Sequence, residues 1–409
     1  MESNRPAGPR AALGLIRSRR FGPYFFGNAS SASGTWFQNL AAQLLVFRLT
    51  HSAFLLGVLN FANFIPVLVL APWAGSAADR FDRRRLLIVT QAVATVLGSI
   101  LAVLAWADLA NEWVVIAFAF GLGISSAFSA PASTAFISQL VDRDDLPSAV
   151  ALNSMTFNIA RAVGPALAAL SVNKLGIPAS FAINAASYLL FIAALAVTQP
   201  TAVQKARRGE ARLRESLALV RRTPRLLVFL LIVTAVGFAS DPINTEAPAF
   251  AHAFGHSDTV AGWIIGAFGA GAVAAAFFFV GRVAGSRRRM TTTLLLLGGG
   301  VVAFSLSPWL ALGFVFLFVA GFGYLASNTH ATSRLQLEVE ESQRGRVMAL
   351  WSVAFLGLRP VASLIDGALA GAFGVRVAGV CLALPAFAMA GVTAFYVAKR
   401  PQFAASASP

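Results

Sequence analysis

Five ionisable residues lie inside long apolar stretches of this chain: Arg161, Asp241, Glu246, Arg359 and Asp366. A charge left facing lipid near mid-bilayer costs about 2.5–3.5 kcal/mol on an insertion scale. Each of the five is therefore expected to face a cavity or a partner. Asp241 is followed by Pro242, and Glu246 stands two residues before Pro248. Proline removes a backbone hydrogen bond and kinks a helix, and a broken helix beside a carboxylate is a common form for a binding or gating element. Asp241, Glu246 and Asp366 are thus candidates to take up and release a proton. The structural alternatives are a wet outer-vestibule acid for Glu246 and an ion pair with Arg161 or Arg359 for Asp241. The two arginines either bind an anionic group and tune an acid, or bond to backbone carbonyls or another helix. Arg359 and Asp366 stand two turns apart on one helix face, about 10 Å along the axis, so a direct pair between them is not expected.

The elements that must position these charges follow from composition. Of 409 residues, 57% are hydrophobic and only 12% charged, and the mean hydropathy is +0.72. That balance excludes a disordered chain and points away from a soluble enzyme towards an integral membrane protein. Apolar windows of bilayer-spanning length, about 20 residues, run at 23–48, 53–78, 86–107, 113–140, 146–172 and 177–198. Six more run at 226–251, 257–284, 290–307, 309–335, 346–372 and 375–398. The first, rich in Ser, Asn and Gln, and the fourth, broken by Pro131, match the spanning pattern least well. The expected fold is all-α, with twelve transmembrane helices.

Net charge is +15. With both termini placed in the cytoplasm, 27 of the 32 Lys and Arg fall on cytoplasmic segments, and only Arg48, Lys174 and Arg376 on outer loops. This is the positive-inside bias. It accounts for the basicity by short separate loops, so no nucleic-acid partner is expected. Arg17, Arg19 and Arg20 precede a long segment with no cleavable leader pattern. The expected location is the inner cell membrane.

The two halves resemble each other. ALNSMTFNIAR at 151–161 and ALWSVAFLGLR at 349–359 align at an offset of 198, which pairs Arg161 with Arg359. The chain is therefore divided into a six-helix half at 1–198, a basic cytoplasmic linker at 199–225 and a second half at 226–409. An even number of spans keeps the repeats in one orientation, related by an axis along the membrane normal. Residues 212–217 are expected to form a short amphipathic surface helix.

The loop after the second span reads GSAADRFDRRRLL at 75–87. It resembles the G-x-x-x-D-R-x-G-R-R signature of the major facilitator superfamily. Gly75, Asp79, Arg80, Arg83 and Arg84 match, and Asp82 replaces the second glycine. That replacement, and the stretches 143–170 and 181–190, are similar to the enterobactin-exporter and macrolide-efflux branch. Gly164 and Pro165 match part of the antiporter signature G-P-x-x-G-G, with Ala168 and Ala169 in place of its glycines. The arginine of the proton-antiporter pattern midway along span four is absent from AFAFGLG at 117–123.

The resemblance implies the two-half major facilitator fold and an exporter of a small amphipathic compound, working by alternating access with protons as partner. It implies that the 75–84 loop latches one state. It also implies that spans one, four, seven and ten line the cavity. Here those spans offer Trp36, Gln38, Asn39 and Gln43, then Ser125 and Ser129, Asn244 and Thr245, and Asn328 and His330. An importer, a lipid flippase or a non-transporting receptor on the same scaffold are the alternatives.

Other chemistry is excluded or unsupported. A GxxxxGK[ST] loop for nucleotide is absent. Cys381 is the single cysteine, and the four histidines are scattered, with His252 and His256 beside a glycine in an outer loop. No enzyme activity, cofactor or metal is expected. The partners are a small molecule, protons and the bilayer, and the protein is expected to be monomeric.

Overall fold

The computed structural model describes residues 9–200, 220, 223–279 and 287–398, and every described element is helical. The linker at 201–219 and the surface helix expected at 212–217 lie outside the described residues. A short helix, α1 (Pro9–Arg17), precedes α2 (Gly22–Thr50), α3 (Ala53–Arg80), α4 (Arg83–Trp106), α5 (Glu112–Ile137), α6 (Leu146–Leu175) and α7 (Ile177–Val197). After the linker come α8 (Pro224–Thr245) and α9 (Ala247–Ala253), then α10 (Ala261–Phe279), α11 (Arg287–Leu306) and α12 (Leu310–Leu337). The chain ends in α13 (Glu341–Ser352), a π-helical turn (Val353–Gly357), α14 (Arg359–Phe373) and α15 (Val375–Ala398).

These helices follow the twelve apolar windows to within a few residues at most ends. Two windows are divided. The seventh breaks at Glu246 between α8 and α9, and the eleventh passes through the π turn before Arg359. Among the described residues, ten helical segments are long and apolar enough to cross a membrane. The long helix α2, of 29 residues, is not among them, because it carries many Ser, Asn and Gln side chains. The fourth window, despite Pro131, is among the ten.

The chain forms two compact units. The first comprises Met1–His51, Val58–Arg208 and Thr259–Trp263; the second comprises Ser52–Gly57, Gly209–Asp258 and Ile264–Pro409. In the first, α2 packs on α6 and α7, and α4 on α5 and α7. In the second, α8 packs on α14 and α15, and α11 on α12 and α15. These are the same partnerships, helix for helix, across the sequence repeat.

Two glycines carry the repeat down to single dihedral angles. Gly176 ends α6 at φ 85°, ψ 170°, and its N–H donates to the Val172 carbonyl at 3.0 Å. Gly374 ends α14 at φ 88°, ψ 155°, and donates to the Ala370 carbonyl at 2.9 Å. Donors and acceptors alike stand at the offset of 198. Only glycine adopts this backbone region readily, so both turns hold a residue without a side chain.

Buried polar contacts lock the helices of the first unit. Asn184 Nδ2 on α7 donates to Gln38 Oε1 on α2, and Ser31 Oγ donates to Gln91 Oε1 on α4 at 3.2 Å. One end of the unit is closed by an aromatic cluster of Phe21, Tyr24, Phe136 and Phe191. There the Tyr24 hydroxyl and Ser133 Oγ lie 2.6 Å apart.

Candidate functional site

The densest buried charge lies in the second unit, where α8 meets α14. Asp241 is 1% exposed, and Glu246 and Asp366 are fully buried. Asp241 stands one turn before the end of α8. Its Oδ2 accepts from Thr245 Oγ1 at 3.0 Å and its Oδ1 from Ser363 Oγ, on α14, at 3.1 Å. The two hydroxyls lie 3.5 Å apart. On α14, Arg359, Ser363 and Asp366 are spaced i, i+4 and i+7, which puts them on one face. The Arg359 guanidinium acts electrostatically on Asp241, and the three carboxylates act on one another.

The backbone explains why these groups meet. Pro242 lies within α8, and α8 stops three residues after it, at Thr245. Glu246 links the two helices: its N–H donates to the Pro242 carbonyl at 2.9 Å, and its carbonyl accepts from Phe250 at 2.8 Å. Pro248 sits in the first turn of α9, where a missing N–H costs nothing. The Glu246 side chain is thereby held at the break. On the facing side, the π turn ends just before Arg359, and its Ala354 carbonyl accepts from Thr234 Oγ1 on α8 at 3.2 Å. Single π turns are frequent at functional sites.

All four oxygens of Glu246 and Asp366 lack a hydrogen-bond partner among the described residues. An unpaired buried acid is expensive, and two side by side are not a stability device. The structure thus brings Asp241, Glu246, Asp366 and Arg359 together. Ser363, which completes the cluster, escaped sequence reasoning. Its signal was its place on the same helix face, between Arg359 and Asp366. The side chain of Arg161, on α6, lies outside the described ones.

The cavity residues divide. In the first unit Gln38, Asn39 and Gln43 line one cavity of about 20 Å³, together with Asn60 and Asn63 of α3. That space holds about one water. Asn60 and Asn63 were missed, although two amides three residues apart in a strongly apolar span are a legible signal. Trp36 is half-buried with its Cβ against Gly164. Ser125 donates to the Thr90 carbonyl at 2.7 Å and Ser129 to the Ser126 carbonyl at 3.3 Å, so both hydroxyls serve helix packing or their own helix. Asn328 and His330 lie on α12 in the second unit. His330 is buried, and the charges of Arg289 and Arg334 act on it.

The latch residues also divide. Asp79 and Arg80 end α3, exposed, and make no ion pair among the described residues. Asp82 instead caps α4, accepting from the Arg85 N–H at 2.8 Å. Arg83 donates to the Ala135 carbonyl near the end of α5 at 3.0 Å. Arg84 donates to the Leu195 carbonyl at 2.7 Å and to that of Ala196, at the end of α7. Both arginines therefore meet carbonyls at the negative ends of helix dipoles, that of Ala135 being shared with the Ser138 hydroxyl. A Cβ on Gly75 would meet open space.

Residues 11–409 match the model of the transmembrane secretion effector family. The staphyloferrin A transporter of Staphylococcus aureus is 32% identical over 171 residues, 41% of this chain and 43% of that one. Macrolide efflux protein A of Streptococcus pyogenes is 27% identical over 212 residues, 50% of this chain and 52% of that one. The chain thus spans about half the length of these curated relatives. Among solved structures, a bacterial homologue of the human lysosomal transporter Spinster superposes with TM-score 0.75 at 14% identity, covering 97% of this chain and 99% of that one. The nucleoside transporter NupG superposes with TM-score 0.73 at 13% identity, covering 94% and 99%. At such identities the likeness is one of fold.

Proposed function

The chain belongs to the transmembrane secretion effector family of the major facilitator superfamily, and on that premise we propose that it is a secondary active transporter exporting a small amphipathic compound in exchange for protons. The observation that carries this reading is the buried acid cluster at the α8 break, where two carboxyl groups lack any hydrogen-bond partner among the described residues. Such groups suit a step in which protons are bound and released.

Three further features support the reading. The relatives named for macrolide efflux and for staphyloferrin A transport favour an exported organic cargo. The repeated packing suits alternating access, with residues 1–198 and 226–409 as the moving halves and 199–225 as their linker. The basic loops favour a bacterial cell-membrane protein with both termini on the cytoplasmic side. The 75–84 loop is proposed to latch one state through Asp79, whose exposed carboxylate is available to a partner presented in another state. The amides of α2 and α3, with Trp36, Asn328 and His330, are proposed to face cargo when the cavity opens. The working unit is proposed to be the monomer.

The test is efflux from a drug-sensitive bacterial host loaded with ethidium, erythromycin or a catecholate siderophore, with and without a protonophore. Export that the protonophore abolishes, and that Asp79→Asn and Asp241→Asn weaken, is the expected result. Unchanged cell content of all three probes would refute export of this cargo class. Accumulation instead of loss would identify an importer.

A further inference from the structure

Given the proton exchange proposed above, the three buried acids are not equivalent. Asp241 has a donor on each oxygen, Thr245 at 3.0 Å and Ser363 at 3.1 Å, and it lies in the field of Arg359. Its charge is compensated and its orientation fixed from two helices. Glu246 and Asp366 have neither benefit. Both are fully buried, and none of their four oxygens meets a donor among the described residues.

The surrounding charges sharpen the contrast. Among the described residues, the charged groups acting on the cluster are its own members and Arg359. His330, buried on α12 in the same unit, answers to Arg289 and Arg334 instead. The Arg359 guanidinium acts on Asp241 and can balance one anion; two further buried anions without donors would each cost several kcal/mol.

We infer that Glu246 and Asp366 hold the exchanged protons, while Asp241 is the standing anion that keeps Arg359 in place. Glu246 hangs at the junction of α8 and α9, and Asp366 on the α14 face that follows the π turn. Both sit on backbone that a small rearrangement would re-aim, whereas Asp241 is tied across to α14. In each cycle a carboxyl O–H gives its proton to water on the cytoplasmic side. The carboxylate left behind regains a proton from water on the outer side. The ceiling is two protons per cycle, one for each acid.

The test needs no transported compound. Infrared spectra of the full-length protein in lipid vesicles, recorded in H₂O and D₂O, read the C=O stretch of protonated carboxyl groups. Glu246→Gln and Asp366→Asn should each remove one component of that band, and the double variant all of it. Asp241→Glu, which keeps an anion beside Arg359, should leave it. A band that survives in the double variant, or disappears in Asp241→Glu, overturns the assignment. If an amide variant aggregates on size exclusion, Glu246→Asp and Asp366→Glu keep an acid and should shift their component; an unmoved band again overturns the assignment. Loss of the export reading is separate: it shows as absent ethidium and erythromycin efflux with the band intact.

Discussion

Ser363 on α14 donates a hydrogen bond to the Asp241 carboxylate on α8 at 3.1 Å, across 122 residues of sequence. Thr245 completes the pair from Asp241's own helix at 3.0 Å. Hydrogen bonds to charged groups contribute about 1.5–3 kcal/mol. Ser363→Ala should therefore lower the unfolding temperature of the purified protein in detergent, and Thr245→Val should do the same. Both effects should shrink in an Asp241→Asn background, because the partners share one carboxylate. Equal losses in both backgrounds would show that the hydroxyls serve something other than the charge.

Asp79 and Arg84 share one sequence motif but should fail differently. Arg84→Ala frees two carbonyls at the end of α7 and should cost about 1.5–3 kcal/mol of stability. Arg84→Lys should recover only part, since an ammonium lacks the planar fork that reaches both. Asp79→Asn is exposed and unpaired among the described residues, so its stability should stay within about 0.5 kcal/mol. Its efflux rate should nonetheless fall. Thermal melts read beside efflux separate the two, and a destabilised Asp79→Asn would count against a state-specific latch.

Asp82 stands where the family signature has glycine, and it caps α4. Asp82→Ala should cost about 1 kcal/mol, and Asp82→Gly only a few tenths. A glycine variant as unstable as the alanine one in a denaturation series would mean that Asp82 acts through something other than its cap.

Gly176 and Gly374 should tolerate alanine equally badly. A Cβ at Gly374 meets no atom within 4 Å and one at Gly176 only the Pro178 ring at 3.6 Å, so the cost lies in the backbone. It should be about 1–3 kcal/mol at each position. Melts of the two variants should agree. A clear difference would show that one turn relaxes where the other cannot.

The amino-acid sequence by itself determined the limits of the apolar helical stretches, the repeat and the positions of the intramembrane charges. The reason is the bilayer. Backbone groups in hydrocarbon must be satisfied within their own segment, so a run of apolar residues of the right length already specifies a helix. Pro242 and Pro248 likewise announced the break that holds Glu246.

The tertiary structure alone decided which faces meet. Lipid is as apolar as the space between helices, so a spanning helix carries no polar stripe to mark its outward side. Nothing in the sequence turns Asn60 and Asn63 towards Gln38 and Gln43, or Ser363 towards Asp241. The arginines of the first loop could be counted as positive charge, but not seen as caps on helix ends over a hundred or just over fifty residues further along the chain. Asp241 with two donors and Glu246 with none look alike as letters. Only packing, by delivering or withholding a hydroxyl, makes one a fixed anion and the other a carboxyl without a partner among the described residues.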